Sequence, residues 1–208
     1  MPYFPLFVPL AQRDVLIVGG GAVALRKAHS LAPFGCRITA VAATFCQGWE
    51  EVDARRITAV LQGDEPMLWD RPWALVIAAS GDRALNHAVS RLAQDKGIPV
   101  NAVDDKDACT FYFPALVRRG EMVVGLCGAG KAPFYTRALR KELEKAIPAR
   151  DGAVLNALES QRPAVRSQGQ KAAEALIEVL REALDKDPEL TRAQLEALCA
   201  DFWAGRAQ

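Results

Sequence analysis

The chain has 208 residues, half of them hydrophobic and a quarter charged, which is the composition of a globular protein. Its 26 basic and 25 acidic residues leave a net charge of +1, so binding to nucleic acid is not expected. No apolar run reaches the ~20 residues that a membrane-spanning helix needs, and the apolar start lacks the basic segment of a signal peptide.

The first half of the chain alternates predicted strands with predicted helices. Aliphatic runs predict strands at 15–18, 37–41, 57–61, 73–80 and 97–105. Helical spacing predicts a helix that begins at 22 and ends before Pro33, a short helix within 42–55, and a helix at 83–95. This alternation is typical of an α/β fold whose parallel sheet is joined by right-handed crossovers.

The pattern changes after residue 105. Residues 109–130 form two predicted extended segments that meet near Gly120, and a helix follows over 132–148. We place a domain boundary near residue 113. From Arg150 onward the sequence predicts no strand and two or three amphipathic helices, one of which begins with a capping box, Thr191 to Gln194.

The cysteines and histidines limit the redox and metal chemistry. The five cysteines are odd in number and contain no CxxC pair, so we expect reduced thiols in a cytoplasmic protein. Neither they nor the two histidines have the spacing of zinc ligands, and no metal site is predicted.

The stretch DVLIVGGGAVALRKA, residues 14–28, contains the pattern G-x-G-x-x-A between a predicted strand and a predicted helix. In such a turn the first glycine permits the sharp bend, the second lets the backbone approach a pyrophosphate, and the small third residue packs against the strand. The helix N-terminus then faces the phosphates. We therefore predict a Rossmann-like dinucleotide site whose cofactor-binding residues include Gly19, Gly20, Gly21, Ala22 and Val23. The alternative is a glycine turn kept only for packing.

The second strand ends in AVAATF, residues 40–45, without the acidic residue that usually binds a ribose hydroxyl. No arginine there indicates a pocket for a 2′-phosphate either, which favours NAD over NADP. Ala43 and Thr44 are the predicted contacts on the adenosine side.

Acidic residues follow the fifth strand in VNAVDDKDACTF. Ligands of open parallel sheets bind outside the carboxyl ends of the strands, so Asp104 is placed to face the nicotinamide half of a dinucleotide. A partly buried carboxylate can act there as a general base. The alternative is a solvated loop in which Asp104, Asp105 and Asp107 cap a turn.

Several stretches together resemble one known family. They are YFPLFVPL followed by DVLIVGGGAVALRKA, then IAAS and GD, VNAVDD with FYFPALVRRG, and APFYTRALRKELE. Over about residues 1–148 the chain is similar to the precorrin-2 dehydrogenase/sirohydrochlorin ferrochelatase family, the N-terminal module of siroheme synthase.

The resemblance implies NAD-dependent oxidation of the tetrapyrrole precorrin-2 to sirohydrochlorin, and in some members insertion of Fe²⁺. It implies that Asp104 is the essential aspartate and that Ala79 and Ser80 contact the cofactor. It also implies a homodimer and a division into a dinucleotide-binding domain at 1–113, a dimerisation segment at 114–148 and a helical domain at 149–208.

Precorrin-2 carries many carboxylates, so its site needs several cations. Basic residues cluster in the segment after residue 113, and we predict substrate contacts from Arg118, Arg119, Lys131 and Arg137. The chain departs from the family at 127–133, where CGAGKAP replaces a serine-containing motif, and at Ala115, where serine is common. Hydroxyl contacts from these positions are not expected.

Two other functions remain open from sequence. A non-enzymatic module that senses NAD(H) would bind the dinucleotide without turnover. A different NAD-dependent oxidoreductase would need a Ser/Tyr-x-x-x-Lys or histidine pattern that the sequence lacks. Iron insertion, which some members of the family perform, also stays open. The lack of a cluster of His or Cys that could deliver the metal counts against it.

Overall fold

The computed structural model describes residues 3–206, apart from the side chain of Met67. These residues form two compact units: residues 4–113, and residues 114–206 together with Tyr3. Among them, no helix is both long enough and apolar enough to cross a membrane.

The first unit is built on a five-stranded, wholly parallel sheet in the order β3-β2-β1-β4-β5. Its strands are β1 Asp14–Val18, β2 Arg37–Ala42, β3 Ala54–Thr58, β4 Leu75–Ala78 and β5 Val100–Ala102. Its helices are α1 Ala22–Leu31, α2 Pro66–Trp69 and α3 Arg83–Asp95. The predicted α/β class with a Rossmann-like parallel sheet is confirmed.

Continuous aliphatic runs form β1 and β4 because both faces of the sheet are covered. One face carries a core that includes Val15 and Ile17 of β1 packed with Ala24 and Ala28 of α1. The other carries a core that joins Leu16 of β1 to residues from α2 and α3. The small side chains on α1 let the helix lie close to the sheet.

The edge strand β3 was predicted three residues too late, at 57–61 instead of Ala54–Thr58. Its ladder with β2 ends where Ala42 pairs with Thr58, and the N–H of Ala59 makes the last bond to the Ala42 carbonyl (2.9 Å). Residues beyond that point have no strand to pair with, whatever their β propensity. The predicted helix within 42–55 is a single 3₁₀ turn, Trp49–Glu51.

The second unit begins with an antiparallel hairpin, β6 Ala115–Arg119 and β7 Met122–Leu126, which turns at Gly120 (φ 59°). Five helices follow: α4 Pro133–Ala146, α5 Arg150–Leu158, α6 Arg162–Gln168, α7 Gln170–Lys186 and α8 Arg192–Ala204. The core of this unit joins α5, α7 and α8. The capping box at Thr191 and Gln194 is present, as predicted.

The sequence predicted two or three helices after Arg150, and the structure has four. The two short helices were missed because α5 contains a glycine and α6 contains a proline, and each interrupts the helical spacing of apolar residues. Gly152 allows α5 to approach β6, because a Cβ there would lie 2.6 Å from the Arg119 carbonyl oxygen. Pro163 stands in the first turn of α6, where proline is tolerated.

Candidate cofactor and catalytic site

The strand order of the first unit reverses between β1 and β4. From β1 the chain moves outward through β2 and β3, then returns to form β4 and β5 on the other side. Hydrogen bonds continue the ladders past the strand ends: the N–H of Ala79 donates to the Val18 carbonyl (2.8 Å), and that of Val103 donates to the Ala78 carbonyl (2.9 Å). The loops after β1, β4 and β5 therefore begin at the same level of one sheet edge, which is where open parallel sheets bind ligands.

Two of the three glycines after β1 are required by the protein itself. A Cβ on Gly19, whose φ is 132°, would lie 2.3 Å from the Ala79 carbonyl oxygen. A Cβ on Gly20 would lie 2.0 Å from the Thr44 carbonyl oxygen. Both close approaches are to backbone atoms, so neither position accepts a side chain without movement of the loops after β2 and β4.

Gly21 is different, because within the described part of the chain no atom other than those of its sequence neighbours lies within 4 Å of the position its Cβ would take. Its φ of −80° is also open to any residue. Gly21 is the N-cap of α1, and it offers no side chain to the free N–H groups of the first turn. Packing does not explain this glycine, whereas a ligand that approaches the backbone does. The turn therefore fits the pyrophosphate of a dinucleotide.

Trp49 supports the glycine turn through a hydrogen bond to its backbone. The sequence analysis did not single out this residue. Its fully buried indole donates from Nε1 to the carbonyl of Gly20 (2.8 Å), which also accepts from the N–H of Cys46 (2.9 Å). The loop after β2 is thus fastened to the loop after β1. The sequence signal was a tryptophan that stands between Gly48 and two glutamates.

Replacing Trp49 by phenylalanine is expected to lower the free energy of unfolding by about 1–3 kcal/mol, from the lost hydrogen bond and the smaller ring. It should also weaken NAD⁺ binding, because the Gly20 carbonyl loses one of its two donors. Urea unfolding and calorimetric titration measure the two effects. Trp69→Phe is the control, since its indole donates to Gly63 (3.0 Å), away from the turn. A Trp49 variant that is less stable yet binds NAD⁺ as tightly as the wild type would contradict this role.

The loop after β2 brings Ala43 and Thr44 to the same edge, and both are exposed. Among the described residues, no carboxylate follows β2 in place of the usual ribose ligand. The predicted adenosine contacts are thus sterically open, and their role stays a prediction.

The loop after β4 is fixed by Asn86, a buried residue of α3. Its Oδ1 accepts from the N–H of Ser80 (3.0 Å), and its Nδ2 donates to the Ser80 carbonyl (3.0 Å). Asp82 caps α3 by accepting from the N–H groups of Ala84 and Leu85. Ala79 is buried and Ser80 half-buried, so these two predicted cofactor contacts sit on a rigid loop.

Asp104 follows β5 in a left-handed conformation, with φ of 59°. Its side chain is exposed, and among residues 3–206 nothing donates a hydrogen bond to its carboxylate or pairs with it. Residues other than glycine hold this conformation at some energetic cost, and such residues concentrate at functional sites. Asp104 lies two strands from the glycine turn, about 10 Å away at the spacing of neighbouring strands.

The neighbouring Asp105 plays a separate part. Its side chain is only 10% exposed and pairs with His87 and Arg83 of α3. Burial acts to raise the pKa of this carboxyl, but the N–H of Ala108 and the charges of His87 and Arg83 outweigh it and hold the pKa below its usual value. Asp105 is therefore an anchored, ionised group, whereas Asp104 is unpartnered.

The predicted substrate cations belong to the second unit. Arg119 donates to the carbonyls of Ile147 (2.8 Å), Glu144 (2.9 Å) and Arg118 (3.0 Å), so its guanidinium is engaged at the end of α4. Arg118 donates from Nε to the Gly120 carbonyl (3.0 Å). Lys131 and Arg137 are exposed at the start of α4. Of the four, Arg119 is the one that is half-buried, whereas the others are exposed.

The sequence matches a family model described as "Putative NAD(P)-binding" over residues 6–115. It is 40% identical over 149 residues to a siroheme synthase of Sodalis glossinidius, which covers 71% of this chain and 31% of that protein. It is 41% identical over 154 residues to a siroheme synthase of Nitrosomonas eutropha, which covers 73% of this chain and 32% of that protein. This chain therefore spans about a third of the length of the curated relatives it matches.

Among solved structures, the chain resembles a precorrin-2 dehydrogenase with a TM-score of 0.65, over 97% of this chain and all of that one. The two sequences are 21% identical, so the match shows a shared fold. It extends over both units, the helices of the second included.

Proposed function

This chain belongs to the NAD(P)-binding family that matches residues 6–115, and we propose that it oxidises precorrin-2 to sirohydrochlorin with NAD⁺ as hydride acceptor. One juxtaposition carries the proposal: a glycine turn open to a ligand and an unpartnered aspartate lie two strands apart on the same sheet edge. The similarity to siroheme synthases supports the choice of substrate.

The residues at the carboxyl ends of the strands fit NAD⁺ on both sides of the point where the strand order reverses. Gly21 and the free N–H groups of Ala22 and Val23 would bind the pyrophosphate. Ala43 and Thr44 would lie along the adenosine half, and Ala79 with Ser80 along the nicotinamide half. When bound, NAD⁺ supplies a two-electron acceptor for hydride.

The oxidation of precorrin-2 releases a proton together with the hydride. We propose that the carboxylate of Asp104 accepts this proton. It is exposed at the carboxyl end of β5 and has no partner to displace. The residue before it is bonded to the sheet, since the N–H of Val103 donates to the Ala78 carbonyl (2.9 Å), and a fixed acceptor is what proton transfer in a transition state requires.

Arg118, Lys131 and Arg137 are the cations that we propose for the carboxylates of the substrate, because charge-assisted hydrogen bonds recognise such groups. Arg119, the fourth predicted cation, would contribute chiefly by fixing the end of α4, to which it is already bonded.

A homodimer is a further part of the proposal, formed through the segment 114–148. Helix α4 has an amphipathic sequence, yet none of its residues is buried in the described chain, and Phe134 and Tyr135 are 77% and 58% exposed. Apolar surface of this kind is typical of association sites. We propose the cytoplasm as the compartment, since all five cysteines are thiols.

Incubation of the purified protein with precorrin-2 and NAD⁺ tests the function. We expect NADH absorbance and the sirohydrochlorin spectrum to rise together, and neither to rise without NAD⁺. NAD(H) binding without turnover would favour the non-enzymatic alternative. Sirohydrochlorin with Fe²⁺, in the absence of NAD⁺, tests iron insertion: a siroheme spectrum that forms faster than the spontaneous reaction would add that activity.

A further inference from the structure

A cluster of polar contacts lies directly beside Asp104 and plays no part in the proposed proton transfer. Its centre is the carboxylate of Asp105. Oδ1 accepts from the N–H groups of Asp107 and Ala108, both at 3.2 Å. Oδ2 lies 2.6 Å from Nε2 of His87 and 3.4 Å from a terminal nitrogen of Arg83. One nearly buried carboxylate thus joins helix α3 to the turn that follows β5.

These contacts fix the backbone on the carboxyl side of Asp104. On its amino side, the N–H of Val103 is bonded to the Ala78 carbonyl of β4 (2.9 Å). Asp104 is therefore held between two anchored neighbours, while its own carboxylate has no partner in the described chain. A left-handed residue persists when its surroundings over-determine its conformation, and here the surroundings are the sheet on one side and Asp105 on the other.

We propose that Asp105, His87 and Arg83 form a clamp that keeps Asp104 in its left-handed conformation, and that they are positioning residues for the reaction. The inference rests on the proposed role of Asp104 as proton acceptor. In the clamp, Nε2 of His87 faces Oδ2 of Asp105 at 2.6 Å. A glutamine, whose amide nitrogen donates from a similar place, should replace it.

The first test is the conformation of Asp104, measured by NMR without any substrate. The HN–Hα coupling and the Cα shift of Asp104 report its φ. We expect both to move towards averaged values in Asp105→Ala and His87→Leu, and to stay as in the wild type in His87→Gln. Exchange of the amides of Asp107 and Ala108 should quicken in Asp105→Ala. An unchanged Asp104 conformation in Asp105→Ala would overturn the clamp.

The second test is steady-state kinetics with precorrin-2 and NAD⁺. We expect kcat to fall about 10- to 100-fold in Asp105→Ala, as small displacements of a reacting group do, while the KM for NAD⁺ stays unchanged. The kcat of His87→Leu should also fall, whereas His87→Gln should keep the turnover of the wild type. His29→Leu, a change at an exposed histidine of α1, is the matched control.

The outcomes separate this inference from the proposed function. A wild-type protein without turnover would refute the proposed function, whereas the NMR test of the clamp would still give its own answer. A His87→Gln variant as slow as His87→Leu would overturn the positioning role, because a nitrogen restored beside Asp105 would then not restore turnover.

Discussion

Replacing Asp104 by asparagine is expected to lower the kcat for NADH formation by about 10²–10⁴-fold, the range that a general base contributes. Asparagine has nearly the same shape and tolerates the left-handed conformation, so the fold should be kept. It cannot accept a proton from the substrate at neutral pH. The affinity for NAD⁺ should not change, since the glycine turn lies two strands away. Steady-state kinetics and calorimetric titration of NAD⁺ measure the two quantities.

Asp107→Asn is the matched control, because Asp107 is an exposed aspartate of the same loop and its carboxylate holds no neighbouring group. It should leave kcat within about two-fold of the wild type, as surface changes away from special features do. Wild-type turnover in Asp104→Asn, with unaltered thermal stability, would remove Asp104 from the proton transfer. A fall of equal size in Asp107→Asn would show that the loop's charge matters and not one acceptor.

The framework of the first unit could be predicted because its signals are local. Aliphatic runs that alternate with helical spacing give β1, α1, β2, β4 and α3 within a few residues, and helix α3 begins and ends where predicted, at Arg83 and Asp95. The family resemblance rested on motifs spread over residues 3–144, which belong to both units, and the matches to relatives confirm it. The positions that failed, such as β3, depend on where a neighbouring strand ends, which no local pattern records.

Partners that are distant in sequence were not predictable. The two histidines were weighed only for the spacing of zinc ligands and for a catalytic pattern, yet α3 carries Nε2 of His87 to 2.6 Å from Oδ2 of Asp105. Arg119 was counted as a cation for the substrate because a sequence shows charge and not the carbonyls that engage it. Trp49 and Gly20 are joined across 29 positions by one hydrogen bond. Each of these pairings arises from the packing of a helix or loop onto the sheet.

Two adjacent glycines of the turn, Gly20 and Gly21, are expected to respond differently to substitution. Gly20→Ala should lower the free energy of unfolding by about 1–3 kcal/mol or more, because its methyl group would lie 2.0 Å from the backbone oxygen of Thr44 and the loop must move. Gly21→Ala should leave stability unchanged, since its methyl group meets no described residue beyond its sequence neighbours within 4 Å and its φ of −80° suits alanine. Urea unfolding distinguishes the two.

Gly21→Ala should instead weaken the binding of NAD⁺. Its methyl group would stand where a pyrophosphate approaches the backbone, so we expect the Kd for NAD⁺ to rise about 10-fold or more, or ~1.4 kcal/mol. Gly205→Ala, at a C-cap with φ of −67°, is the control for the substitution itself. If Gly21→Ala bound NAD⁺ as tightly as the wild type, the turn would serve packing alone. Because Gly21 has no packing role in the described chain, a normal fold with lost affinity isolates the ligand as the reason for that glycine.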